Sequence, residues 1–375
     1  GRLSIGCFHM GENNKPIIVA LDVMGADSSP ESIIEGGIQA ATEYGKDLQI
    51  VLVGKKEVID DYFSKQASPP PNVSVEYAAQ AVAMSEAPTE GMRKKDSSIA
   101  VGLGMQKQQK AHAFVSAGNT GAVMGTSIMV LGRIEGINRP AIVGLFPSLG
   151  ENPTLVLDVG ANVDCKPATI FQFGLMGSVY ASLMTGRTSP KVGLLSIGEE
   201  KSKGNEQTLE SWKLLKESGL NFIGNVEGRD ILNGKADVVA TDGFTGNIVL
   251  KFTESIKGFL VTKLRRQVDA NIFSRVGAAL MTPFLRRLKN TFDYSEYGGA
   301  PLLGVNGVCI ICHGSSSPKA IKNAIKVARD MVRHRISDNI RSELIMSTNR
   351  NGSEDNGKSQ NNGNGIVRSV SSPDK

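Results

Sequence analysis

Nine short runs, mostly apolar and rich in β-branched residues, alternate with helical stretches along the chain. They are IIVALDV (17–23), LQIVLVG (48–54), AFVSA (113–117), AIVGLF (141–146), TLVLDVG (154–160), KVGLLSIG (191–198), LNFIGNV (220–226), DVVATDG (237–243) and the VCIICHG run that ends at residue 314. Strands with almost no polar alternation must be covered on both faces, which is the situation of a largely parallel sheet between two helical layers. The pattern therefore predicts a doubly wound, three-layer α/β/α fold, with AIVGLF and TLVLDVG close enough to pair directly. In such folds ligands sit outside the carboxyl ends of the strands.

Six strand exits are polar and rich in glycine: LDVMGAD, SAGNTGA, LDVGANVDCKP, SIGEEKSKGN, ATDGFTGN and CHGSSSP. Their predicted place is one shared edge of the sheet, where together they form a site. In the first, Ser29 is the expected cap and Pro30 the first helical residue. In Gly118-Asn119-Thr120-Gly121 the glycines and asparagine permit a tight turn at positive φ. A helix start follows, so free N–H groups and a helix dipole converge on a seat for an anion. Taken alone, that turn also reads as an ordinary strand-to-helix connection.

Composition removes several classes. The chain has 375 residues, 40% hydrophobic and 21% charged, with a net charge of +5. That is a globular composition, long enough for two domains or one large α/β domain, and its charge is too mild to point to nucleic acid. Four cysteines are too few for a disulfide framework and suit a reducing compartment. Cys309 and Cys312 form a CxxC, but a strand sets them on opposite faces, so a buried strand is expected rather than a redox or zinc pair. The four histidines lack a metal-ligand spacing, and no metal or cofactor is expected. No apolar run reaches membrane-spanning length. Residues 1–15 read as a disordered or non-native leader rather than a signal peptide, with Met10 as a possible internal start. Residues 347–375, rich in Asn, Ser and Gly, read as a disordered tail. Between them, 16–346 reads as one domain. A P-loop, a GxGxxG after the first strand and a GxSxG elbow are all missing. Cys165 has no histidine near it in sequence and reads as structural rather than nucleophilic. What is left is a moderately basic, glycine-rich pocket suited to a phosphate without its nucleotide.

LDVMGAD, VSAGNTGA, LDVGANVDCKP, IGEEKSKGN, TDGFTGNIVLK, YGGAPLLGV and CHGSS occur in this fixed order over about residues 16–340. The ordered set resembles the bacterial phosphate acyltransferases of phospholipid synthesis. That resemblance implies an α/β/α fold similar to the isocitrate and isopropylmalate dehydrogenase group, and a homodimer. It also implies transfer of a fatty acyl group from acyl carrier protein to inorganic phosphate, with the acyl phosphate passing to a membrane-embedded glycerol-3-phosphate acyltransferase. The implied location is the cytoplasm, peripheral on the inner face of the plasma membrane. The missing triad is consistent with this chemistry. Phosphate is largely a dianion at neutral pH, and the leaving thiol has a pKa of about 8.5. Neither a strong base nor a strong acid is required.

The residues expected to carry the reaction are these. Asn119, Thr120 and Gly121 cradle phosphate; Gly243, Thr245, Gly246 and Asn247 form a second amide-rich turn for phosphate or the oxyanion. Lys203 is the expected cation at the reaction centre, unless it is a solvated loop lysine; Lys166 is a second cation or simply begins a helix. His313 donates to the phosphate or the leaving sulfur, or is structural. Asp158, Asn162 and Asp242 orient the turns. Separately, residues 251–292 hold nine Lys and Arg against Glu254 and Asp269, a net of +7. Leu280, Met281 and Phe284 lie among them beside Arg286 and Arg287, and Pro283 is expected to kink or divide the second helix. This basic amphipathic hairpin fits an anionic membrane surface, a dimer interface or the acidic acyl carrier protein. Two other functions fit the same residues: a phosphotransacetylase-like transferase using coenzyme A thioesters, and a non-catalytic lipid or carrier-protein binding module.

Overall fold

Side chains along each strand divide between two cores, one above and one below a single sheet. On the strand Ile17–Asp22 (β1), Val19 and Leu21 join one core while Ala20 joins the other. This is the period-two geometry of a strand buried on both faces. The structure is a computed structural model that describes residues 15–66, 68–269, 272–291 and 298–359; the side chains of 257, 272, 285–291 and 348–359 are not described. The expected leader therefore lies outside the described residues, apart from Lys15, as do residues 360–375 of the expected tail.

The remaining strands are β2 (Leu48–Gly54), β3 (Val73–Tyr77), β4 (Ala113–Ser116), β5 (Ala141–Phe146), β6 (Thr154–Leu157), β7 (Val192–Leu195), β8 (Phe222–Val226), β9 (Val238–Ala240), β10 (Ala300–Leu303) and β11 (Val308–Ile311). The helices are α1 (Pro30–Tyr44), α2 (Lys56–Lys65), α3 (Pro88–Gly91), α4 (Ser98–Lys107), α5 (Thr120–Leu131), α6 (Pro167–Thr185), α7 (Glu206–Glu217), α8 (Gly228–Asn233), α9 (Gly243–Asp269), α10 (Ile272–Thr291), α11 (Pro318–Arg333) and α12 (Ile336–Ser359). Buried residues of α1, α6, α11 and α12 pack on one face of the sheet, and those of α4, α5 and α8 on the other. The fold is thus a three-layer α/β/α sandwich around one mostly parallel, 11-stranded sheet. Every strand expected from the sequence is present, and β5 and β6 do pair, antiparallel.

The sheet order is β3-β2-β1-β4-β11-β10-β5-β6-β9-β7-β8. The first five strands are mutually parallel, and so are the last four. Between them, β10 is antiparallel to β11 and to β5, and β5 is antiparallel to β6. The two parallel halves consequently run in opposite directions. This corrects the expectation of a single shared edge: the exits of β1, β4 and β11 lie at the opposite edge from those of β6, β7 and β9. Neither β3 nor β10 was expected, and β10 carries Pro301, which pairs with Ile310.

Two further details bear on the sequence expectation. Helix α12 carries on past Ser347 to Ser359, because the packed turns at Ile336, Ile340 and Leu344 nucleate a helix that extends locally at low cost. Of the two effects expected of Pro283, division is excluded: α10 runs through it as one helix, since one lost backbone hydrogen bond does not end a helix with intact turns on both sides. Cys309 and Cys312 do fall in opposite cores, and burial pushes both thiols up to about 12.

Close packing at α4 is set by Gly102, where an added Cβ would lie 2.4 Å from the Phe114 ring of β4. Gly102→Ala is expected to destabilise the protein by about 1–3 kcal/mol, the usual penalty for overpacking. Adding Phe114→Leu should recover part of that loss relative to Phe114→Leu alone. The urea midpoints of the three variants check it.

Candidate active site

The antiparallel joint creates the place where the two sets of exits meet. The first residue of β10 adjoins the end of β11 (Ala300 with Ile311), and its last residues adjoin the start of β5 (Leu302 with Ile142). Four residues of strand span only about 13 Å. A cavity of about 760 Å³ opens across this joint. Its apolar wall comes from Ile142, Val143 and Leu145 of β5, Val159 after β6, and Ile311 of β11. Its polar groups are Thr120, Asn247, His313, Ser315, Ser316 and Ser317, together with Lys251 and Glu254. Of the residues expected from the sequence, Thr120, Asn247 and His313 line it.

Thr120 is presented by a turn held from below. The Asp22 carboxylate, at the end of β1, accepts from the Ser116 hydroxyl at 2.7 Å and the Met24 N–H at 3.0 Å. Ser116 Oγ in turn accepts from Gly118 N–H at 3.0 Å. Asn119 is the N-cap of α5: its Oδ1 accepts from Ala122 N–H at 3.0 Å, and its amide donates to the carbonyls of Met84 and Glu86. The Asn119 side chain is thus engaged in holding the turn itself. Contrary to the sequence expectation, the turn does not use positive φ. Asn119 has φ −56°, and neither Gly118 nor Gly121 is left-handed. Gly121 is instead required by contact, since a Cβ would lie 2.5 Å from Pro88.

The second predicted amide-rich turn is also spent internally. Asp158 accepts from the N–H groups of Ile142, Ala161 and Asn162 and from the Asn162 side chain, at 2.7–3.1 Å. Burial raises its carboxyl above the usual range against the pull of these donors. Gly243 N–H donates to Asn162 O, Thr245 N–H to Asp242 Oδ1, and Gly246 N–H to Asp242 O. The Thr245 hydroxyl donates to Asp242 as well. These three amides are therefore not offered to phosphate. The glycines are needed for approach: a Cβ on Gly246 would lie 1.8 Å from Asp158 O. Gly160, at φ +136°, sits in a backbone region that side chains avoid, next to Asn247. The result is that α9 starts hard against the β6 exit and aims Asn247 into the cavity.

His313 leaves β11 with its Nδ1 accepting from Ser315 N–H at 3.2 Å and 2.8 Å from Ser315 Oγ. With Nδ1 engaged by Ser315, Nε2 has no hydrogen-bond partner among the described residues. Ser317 caps α11 by accepting from Ala320 N–H. Ser316 is buried yet lines the cavity, and it makes no side-chain hydrogen bond with a described residue.

Lys203 and Lys166 are placed elsewhere. Both are exposed, and neither lines the cavity. The Lys203 loop follows β7, which β9 separates from β6. Cys165 is half-buried with its thiol pushed up to about 11, chiefly by burial, which suits an inert packing role. Two groups that sequence reasoning placed elsewhere or passed over are Lys251 and Glu254. Asn247, Leu250, Lys251 and Glu254 follow i, i+3, i+4, i+7 spacing along α9, which puts them on one face. That spacing is the signal the sequence carries for both, within the basic stretch 251–292.

The profile of the fatty acid synthesis protein family matches residues 17–339. The chain belongs to this family. Among its relatives, the phosphate acyltransferase of Pelotomaculum thermopropionicum is 46% identical over 327 residues, covering 87% of this chain and 94% of the relative. That of Heliobacterium modesticaldum is 49% identical over 316 residues, covering 84% and 93%. The EutD phosphotransacetylase of Staphylococcus aureus shares the fold with a TM-score of 0.58 at 15% identity, covering 84% of this chain and 94% of that one. A phosphotransacetylase from Streptococcus pyogenes does so with a TM-score of 0.60 at 14% identity, with the same coverage. The family member described here is accordingly a phosphate acyltransferase, a transferase acting in lipid synthesis, and the non-catalytic alternative falls away.

Asp22 supplies a pH test of the support beneath the Thr120 turn. Burial pushes its carboxyl up to about 6, against the donors from Ser98, Ser116 and Met24. A carboxyl raised in the folded state stabilises the fold below its unfolded pKa, and that contribution is lost as pH rises through about 4 to 6. The expected loss is up to about 3 kcal/mol. Asp22→Asn should lack this segment, so the urea stability of wild type should fall relative to Asp22→Asn between pH 4 and 6.

Proposed function

We propose that the cavity is where inorganic phosphate attacks a fatty acyl thioester delivered by acyl carrier protein. The observation that carries this reading is one cavity joining an apolar wall to a cluster of hydroxyl, imidazole and amide donors. Thr120 stands at the start of α5, where the N–H groups of Thr120 and Gly121 accompany its hydroxyl, and this end holds phosphate. A phosphate oxygen forms the new bond to the carbonyl carbon, the oxyanion collapses, and the carbon–sulfur bond breaks. The thiolate leaves and takes a proton from water. The acyl chain lies along Ile142, Leu145, Val159 and Ile311. His313 Nε2–H and the Asn247 amide, uncommitted among the described residues, donate to the oxyanion, the charge that appears only in the transition state. The other work of the site is to hold phosphate against the carbonyl.

The wider setting follows from the same reading. The acyl phosphate would be consumed at the cytoplasmic face by a membrane-embedded glycerol-3-phosphate acyltransferase, on the route to phosphatidic acid, and the enzyme would act as a homodimer. No helix among the described residues is long and apolar enough to cross a membrane. The α9–α10 hairpin instead offers an interfacial surface. Phe273, Val276, Leu280 and Phe284 are exposed along one face of α10, with Met281 beside them. The chain carries +7 over 251–292. Anionic lipid is the occupant that satisfies both features, each cation near it contributing about 1 kcal/mol. The side chains of Arg286 and Arg287, expected to share this contact, lie outside the described residues.

Purified enzyme with palmitoyl-[acyl carrier protein] should form acyl phosphate, trapped by hydroxylamine, only when inorganic phosphate is present. His313→Ala should lower kcat by about 10²–10³-fold, the usual effect of removing an oxyanion donor. Product from the coenzyme A thioester alone would transfer the assignment to the phosphotransacetylase-like reaction. Leu280→Glu should also reduce flotation with anionic vesicles; undiminished flotation would remove this tip as the anchor.

A further inference from the structure

We propose that Lys251 is the catalytic cation of the phosphate site and that Glu254 is its resident counter-ion, displaced when phosphate enters. The inference rests on the reading above that this cavity takes inorganic phosphate. Among the described residues that line the cavity, Lys251 is the one cation and Glu254 the one carboxylate. Their charged atoms, Nζ and Oε2, are 2.9 Å apart. Both project from the face of α9 that also carries Asn247, so the cation is on the element that the Asp158 turn pins against the β6 exit.

The pair is built to be exchanged. Its side chains are 60% and 31% exposed, and the residues are three positions apart on one helix. An ion pair of this kind contributes little to stability. A dianion arriving at the cavity meets an ammonium whose partner is a single carboxylate, together with hydroxyls from Thr120 and Ser316 that the carboxylate does not use. Lys251 then turns its N–H donors from Glu254 to phosphate, with no proton transferred. Glu254, left on the cavity wall, opposes the binding of any anion. It therefore sets the affinity for phosphate from the opposite direction to Lys251. This opposition separates the proposal from a merely structural salt bridge, in which losing either partner has the same sign.

The test is titration of the purified full chain with inorganic phosphate, without acyl donor, followed by ³¹P line broadening or calorimetry. Lys251→Met is expected to weaken phosphate binding by about tenfold or more, corresponding to about 1.4 kcal/mol. Lys251→Arg should retain most of the affinity, and Glu254→Gln should tighten binding several-fold. The double variant should bind phosphate more tightly than Lys251→Met and less tightly than Glu254→Gln, because Glu254 repels the anion even without the cation. In turnover, KM for phosphate should rise in Lys251→Met and fall in Glu254→Gln. Unchanged affinity in a folded Lys251→Met protein, or weakening in Glu254→Gln, overturns the proposal. If wild type makes acyl phosphate while Lys251→Met binds phosphate normally, only the role of Lys251 fails. If wild type binds no phosphate, the functional reading fails with it.

Discussion

The structure depends on one short antiparallel joint. Two parallel half-sheets run in opposite directions, and β10 with β5 joins them. In a uniformly parallel sheet the β11 and β6 exits would lie along one edge with strands between them. Here they lie at opposite ends of β10, a strand four residues long. The cavity follows from that shortness, because donors from both halves reach a common space across it. The apolar wall has the same origin, since β5 crosses the cavity and contributes Ile142, Val143 and Leu145.

Carboxylates that turn into their own loops explain which groups remain for a ligand. Asp22, Asp158 and Asp242 all point into their own turns and consume backbone N–H groups. A buried carboxylate is tolerable only with such partners. Turns that look rich in amides in the sequence thereby become rigid supports. What they offer outward is the side chain that the support positions: Thr120 above the Asp22–Ser116–Gly118 chain, and Asn247 above the Asp158 loop. The serines after His313 work similarly, with Ser317 spent on capping α11 and Ser315 on the histidine ring. Rigidity of this kind suits a reaction whose main requirement is holding two substrates in register.

Much of the fold was legible because burial on both faces leaves a mark in composition. Runs such as IIVALDV and LQIVLVG have no polar face, so helices must cover both sides. The two unexpected strands lack that mark. β3 is an edge strand, VSVEY, with mostly exposed side chains, and β10 contains a proline, which argues against a central strand until its neighbours are known. Thr120, Asn247 and His313 were legible as polar residues at strand exits. Lys203 occupies the same kind of position, and nothing local distinguishes it from them. It does not line the cavity, and its loop follows β7, which β9 separates from β6.

The sequence by itself determined the layered α/β/α class, the family and the polar exits, because hydrophobic pattern and ordered motifs are local properties. It also determined that Cys309 and Cys312 face opposite cores, since strand geometry leaves no alternative. Tertiary structure alone decided which exits share a cavity and which glycines serve approach rather than turning. It also placed Lys251, from α9, on the wall of that cavity. Those outcomes depend on strand direction and on contacts between segments more than a hundred residues apart, such as Ala113 with Val308. No local pattern encodes that information; it appears when the two half-sheets are joined.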